Sequence, residues 1–72
     1  MNNTKPLLTR KRLAELITER VGIRMTAHMI AIRCSKGSGP KPVARQGRIH
    51  LYEEDEGLAW GWSLVKPIEA AA

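Results

Sequence analysis

Cysteine, aromatic residues and long apolar runs are all scarce in this 72-residue chain. Each scarcity removes a class of protein. The single cysteine, Cys34, cannot staple the fold, and no Cys/His cluster has the spacing of a zinc site. Phe is absent and the aromatics are Tyr52, Trp60 and Trp62 alone. A domain of about 60 residues buries only about 60% of its unfolded surface, so the core must be modest, and self-association or a bound partner is expected to support it. An enclosed two-domain enzyme is excluded. No run reaches the roughly 18 apolar residues of a membrane span, and Met1 to Leu8 lacks the apolar stretch of a signal peptide. No contact with a membrane and a reduced, cytoplasmic setting are therefore expected.

Catalytic groups are missing too. The sequence offers no nucleophilic triad, no converging carboxylate pair and no glycine-rich loop opening a helix. The segment Gly37-Ser38-Gly39-Pro40 precedes a strand pattern, not a helix. Four consecutive acids, Glu53 to Glu56, fit a helix start better than a metal site. The expectation is a protein that is not an enzyme and holds no metal or cofactor.

What the chain does have is charge, unevenly placed. Residues 1–50 carry eleven Lys/Arg against the two acids Glu15 and Glu19, a net of +9; residues 51–72 carry one Lys against five acids, a net of −4. A field of one sign steers a polyanion toward one side of a molecule. The acidic end could also meet the basic end of a second copy.

The apolar pattern divides the chain into a frayed polar start (1–6), one domain (7–65) and a tail (66–72). Thr9 caps a first helix over about Arg10 to Arg20, with Leu13, Leu16, Ile17 and Val21 at helical spacing. Leu8 before that cap and Leu13 four residues after it fit a hydrophobic staple. Arg10, Lys11 and Arg12 then crowd the positive end of the helix dipole, at some tenths of a kcal/mol each. A nearby phosphate would reverse the sign of that cost. Gly22 breaks the helix. Thr26 caps a second one ending near Lys36, whose apolar members are Met25, Met29, Ile30, Ile32 and Cys34.

Two glycines and two prolines in residues 37–42 exclude a regular element there. A hairpin follows, with Gln46-Gly47 as its two-residue turn. That register sets Arg45 opposite Arg48, Ala44 opposite Ile49 and Val43 opposite His50. Alternation places Pro42, Ala44, Ile49 and Leu51 on a buried face. A last helix runs from about Glu54 to Leu64, its acids favoured by the dipole and its Gly57 and Gly61 each costing up to about 1 kcal/mol relative to Ala. Trp60 and Trp62 point about 200° apart on a helix; Trp60 is assigned to the core, Trp62 to partial exposure. The fold class is α+β.

A helix fits the major groove of DNA, and a narrow hairpin with arginine at its tip reaches an adjacent minor groove or its phosphates. On the second helix the groove-facing candidates are Thr26, Ala27, His28, Ala31, Ser35 and Lys36, with Arg24 ahead of it and Arg33 at its flank. On the hairpin they are Arg45, Gln46, Gly47 and Arg48. Thr9, Arg10, Lys11, Arg12 and Lys41 suit phosphate contact. Plainer roles compete. A basic surface also serves solvation, His28 and His50 read as solvent-facing or hydrogen-bonded, Cys34 as a small core residue, and Met25 and Met29 as core fillers.

The order helix, helix, Gly/Pro break, hairpin, helix resembles the winged helix-turn-helix of the MerR-like excisionase family, the recombination directionality factors of phages and mobile elements. The residues that carry the likeness are Leu7-Leu8-Thr9, Leu13-Ala14-Glu15-Leu16, Gly39-Pro40-x-Pro42-Val43, Gly47-Arg48, and Tyr52 followed eight residues later by Trp60, with the acid Glu56 four after the tyrosine. They span about residues 7–64. Thr18 to Met25 is longer than the family's usual connection, and Arg33 stands where a bulky aromatic or Leu is common.

The resemblance implies a recognition helix in the major groove and a wing tip, Arg45 to Arg48, at the minor groove. It implies a bacterial or phage-encoded, nucleoid-associated protein that makes and breaks no bonds. Such proteins bind double-stranded DNA cooperatively near an attachment site and bend it, so that a partner integrase (a tyrosine recombinase) excises the element. The +9/−4 division suits head-to-tail homo-oligomers along DNA. A phage-type transcriptional regulator would share every one of these features. A small domain docking on an acidic protein would share only the basic face.

Overall fold

Threonine hydroxyls start the first two helices, as their contexts require. Thr9 Oγ1 accepts the Arg12 N–H at 3.1 Å, and Thr26 Oγ1 accepts the Met29 N–H at 3.1 Å. Each bond satisfies a donor that the first helical turn leaves open, worth about 1 kcal/mol. The structure, a computed structural model, describes residues 5–68. Helix α1 covers Arg10–Leu16 and continues as one π-helical turn, Ile17–Val21. Helix α2 covers Ala27–Ser35, strands β1 (Ala44–Gln46) and β2 (Ile49–Leu51) form an antiparallel hairpin, and helix α3 covers Glu54–Ser63. The described residues form a small α+β fold of three helices and one two-stranded hairpin.

The first helix thus reaches the expected end but changes pitch on the way. Gly22 N–H donates to Ile17 O at 3.2 Å, the wide spacing of a π turn. Thr18 bridges this turn to the next element: its hydroxyl lies 3.0 Å from Ala14 O and accepts the Met25 N–H at 3.2 Å. At the far end of α2, Ser38 N–H donates to Arg33 O at 2.9 Å and Gly37 N–H to Cys34 O at 3.1 Å, the paired bonds of a Schellman stop.

The hairpin departs from the expected register. Ala44 faces Leu51, Arg45 faces His50 and Gln46 faces Ile49, so the turn is Gly47-Arg48. Gly47 has φ 61° and no other residue type among the described residues takes positive φ. A glycine in the first central position is what a type II′ turn needs; a turn at Gln46-Gly47 would have put Gln46 there instead. Moving the turn by one residue changes every cross-strand partner by two, so each strand side chain keeps its expected face. Arg48 leaves the ladder for the turn, and the expected Arg45–Arg48 pair does not exist. The hairpin's apolar face is not buried either: Ile49 is 52% exposed.

The chain before α1 is tied down. Leu8 N–H donates to Tyr52 O at 2.8 Å and Tyr52 N–H to Leu8 O at 2.7 Å. Lys5 of the supposedly frayed start pairs with Asp55 at 3.1 Å. Residues 1–4 and 69–72 lie outside the described residues; Lys66–Ile68 carry no helix or strand.

Leu8, Leu13, Ala14, Leu16, Ile17, Met25, Ile30 and Tyr52 form the core. Both members of the proposed staple are among them. Trp60, expected at the centre, is only half-buried; the aromatic at the centre is Tyr52, 1% exposed. The Trp60 indole N–H instead donates to Ser38 O at 2.8 Å, fastening α3 to the segment after α2. Ile32, expected inside, is 42% exposed. Trp62 is exposed as expected, and Cys34 packs against the core half-buried. Helix α3 reaches α1 and its π turn through Gly57 and Gly61, both buried. A Cβ at Gly57 would sit 2.5 Å from Leu13 Cδ1. These glycines weaken the helix on their own account but permit the packing that holds it.

Candidate nucleic-acid interface

Helix α2 sorts its residues by angle. With Ile30 fully buried, the opposite side of the helix is centred on His28, Ile32 and Ser35, all exposed. Lys36, Arg33 and Arg24 are exposed nearby in sequence. Ala27 and Ala31 are half-buried, Ala27 within about 60° of Ile30 and Ala31 about 100° from it. Thr26 is exposed, but its oxygen is already engaged in capping. Ile32 stands on the outward face and not inside, where apolar character alone had assigned it.

The two ends of α2 border different surfaces. At its N-terminal end a groove of about 400 Å³ is lined by Lys11, Thr26 and Ala27 together with Glu15 and Glu19. Carboxylates make that groove a poor place for an anion. Arg12 is likewise compensated, 3.1 Å from Glu15, and Arg20 lies 3.9 Å from Glu54. Both Arg12–Glu15 partners are half-exposed, where such pairs contribute about 0–1 kcal/mol.

At the C-terminal end a cleft of about 290 Å³ is lined by Arg10, Lys41, His50 and Tyr52, with Cys34 beside them and no carboxylate in its walls. Arg10 reaches it from α1, Lys41 from the Gly/Pro segment and His50 from β2. Arg10 Nε donates to the Tyr52 hydroxyl at 3.2 Å and Nη2 lies 3.5 Å from His50 Nδ1. The bond to Tyr52 pushes the guanidinium further up from its ordinary value, so Arg10 stays charged. Burial pushes the Tyr52 hydroxyl up from its own, and its Cys34 neighbour adds to that, against the lowering effect of Arg10. Cys34 Sγ is 3.7 Å from the Tyr52 hydroxyl and 3.6 Å from Pro40 O. Arg45 stands opposite His50 across the hairpin, extending the positive surface from the cleft along the strands.

Of the expected phosphate contacts, Arg10 and Lys41 therefore share one site, Lys11 and Arg12 lie with acids, and Thr9 caps α1. Gln46, Gly47 and Arg48 are exposed at the hairpin tip. Two site residues escaped the sequence reading, His50 and Tyr52. Their spacing of two along a strand was the available signal, since it puts both on one face. Among the described residues no three metal-ligating side chains converge, and no helix is long and apolar enough to cross a membrane. No protein family, curated protein or solved structure matches this chain.

Proposed function

We propose that this chain is a winged helix-turn-helix protein that binds double-stranded DNA sequence-specifically and acts as an excisionase. In this reading α1 and α2 form the helix-turn-helix, α2 is the recognition helix and the β1–β2 hairpin is the wing. The observation that carries it is the meeting of Arg10, Lys41 and His50, from three separate elements, in a cleft without carboxylates, next to Arg45 on the hairpin. The two like charges of Arg10 and Lys41 gain nothing from sharing such a cleft unless a polyanion is bound there. The choice of excisionase rests on the residues that resemble that family. Copies would bind side by side near an attachment site, head to tail through their basic and acidic ends, bend the DNA and direct a tyrosine-recombinase integrase toward excision.

Footprinting on attachment-region DNA tests the whole reading, with adjacent protected repeats as the expected result. Arg45→Ala and Arg48→Ala should each weaken binding across sequences and lower the log–log salt slope by roughly one unit per lost phosphate contact. Excision with and without the protein separates this function from promoter regulation, which uses the same geometry. A protein that prefers no duplex over heparin would overturn the DNA-binding reading itself.

A further inference from the structure

Arg10 is held at two points before any ligand arrives. Its Nε bonds to the Tyr52 hydroxyl and its Nη2 approaches His50 Nδ1. A guanidinium has five N–H donors, so three remain to face a ligand. Arginine can only donate, which makes Nδ1 the acceptor in this contact and leaves the imidazole proton on Nε2. The imidazole thus keeps one N–H to offer. Lys41 lies between Pro40 and Pro42, whose rings fix φ near −65°, so its backbone enters the same cleft on a stiff segment. Ordering these side chains in the free protein reduces what must be ordered on binding. The volume, about 290 Å³, equals that of about ten waters in the liquid, enough for a small anion and not for a folded peptide.

We propose that this cleft is a phosphodiester seat, in which Arg10, Lys41 and His50 hold one backbone phosphate of the bound duplex and Tyr52 positions Arg10. The inference rests on the DNA-binding reading and names a single linkage within it. A phosphodiester presents two non-bridging oxygens and one negative charge. The remaining edge of the guanidinium can meet those oxygens in parallel, with the imidazole N–H and the lysine ammonium at the sides. Tyr52 touches Arg10 and not the phosphate, so it is a positioning residue.

The test uses the full chain and a duplex in which single phosphates are replaced, one at a time, by neutral methylphosphonates. One replacement should weaken the parent protein by about tenfold, the effect of a charge-assisted bond worth about 1.4 kcal/mol. In Arg10→Gln that same replacement should cost clearly less than in the parent, since only Lys41 and His50 still meet the phosphate, and the salt slope should fall by about one unit. Tyr52→Phe keeps the ring and every charge, so its slope should stay unchanged while affinity falls about 2–10-fold; an unchanged affinity would remove the positioning role. If Arg10→Gln and the parent respond alike to every replacement, the seat is wrong although DNA binding stands. A second arm follows the Arg10 Nε and His50 ring resonances during titration with inorganic phosphate and with dimethyl phosphate. Shifts from both, without uptake of any duplex, would uphold an anion seat and refute its DNA source. No shift and no duplex would refute both.

Discussion

Replacing Gly57 by alanine adds one methyl group at the tightest point of the fold. The new Cβ would lie 2.5 Å from Leu13 Cδ1 and 3.0 Å from Cδ2, inside van der Waals contact, against a side chain that is 0% exposed. Leu13 has no solvent to retreat into, so α3 must move away from α1 or Leu13 must leave its rotamer. Overpacking of this kind costs about 1–3 kcal/mol, while alanine returns up to about 1 kcal/mol of helix propensity. The net expectation is a loss of about 1–2 kcal/mol. Gly61 supplies the internal comparison, because it lies in the same helix with the same propensity gain. There the nearest atom is Ile17 Cγ1 at 3.1 Å, which needs to yield by only a few tenths of an ångström. Gly61→Ala should therefore fall close to neutral. Urea and thermal unfolding followed by circular dichroism read the difference. At about 4–8 °C per kcal/mol for a domain of this size, Gly57→Ala should melt about 5–15 °C lower. A Gly57→Ala protein at least as stable as Gly61→Ala would refute the close packing of α3 on α1.

Three further outcomes are expected. Trp60→Phe keeps most of the ring but leaves Ser38 O without the indole N–H, so unfolding measurements should show a loss of about 1 kcal/mol; no loss would mean the bond contributes nothing. Replacing His28 or Ile32 by Ala on the outward face of α2 should relax base preference at one position by about 1–3 kcal/mol, read by competition with single-base-pair variants; unchanged preference in both removes α2 from recognition. Tyr52, whose hydroxyl is pushed above the ordinary tyrosine value of 10.0, binds its proton more tightly folded than unfolded. Its contribution is therefore complete below about pH 10 and is lost as pH rises beyond that value toward the higher folded one. Tyr52→Phe should flatten this alkaline decline in stability, and an identical decline in both proteins would contradict it.

Helix starts were legible in the sequence because they depend on neighbours three residues away: Thr9 and Thr26 do as caps what their positions announce. The apolar spacing of Leu13, Leu16 and Ile17 likewise fixed which side of α1 faces inward. The hairpin was legible as a pair of strands and not in its register, since Gln46-Gly47 and Gly47-Arg48 are both credible turns until the sign of φ at each position is known. Alternation survived the shift because partners moved by two. In the candidate site, Arg10 and Lys41 were found by charge alone. Charge could not separate them from Arg12 and Lys11, which the fold places with Glu15 and Glu19.

By itself, then, the sequence determined the local features: caps, breaks, helix faces and the division of charge between the two ends of the chain. The tertiary structure alone decided which cations share a cleft, that Tyr52 and not Trp60 fills the centre, and that two glycines are points of contact. Local features follow from interactions within one helical turn or one strand. The others require atoms more than forty residues apart in the chain, such as Arg10 with Tyr52 or Leu13 with Gly57, and no pattern along the chain specifies which distant partners will meet.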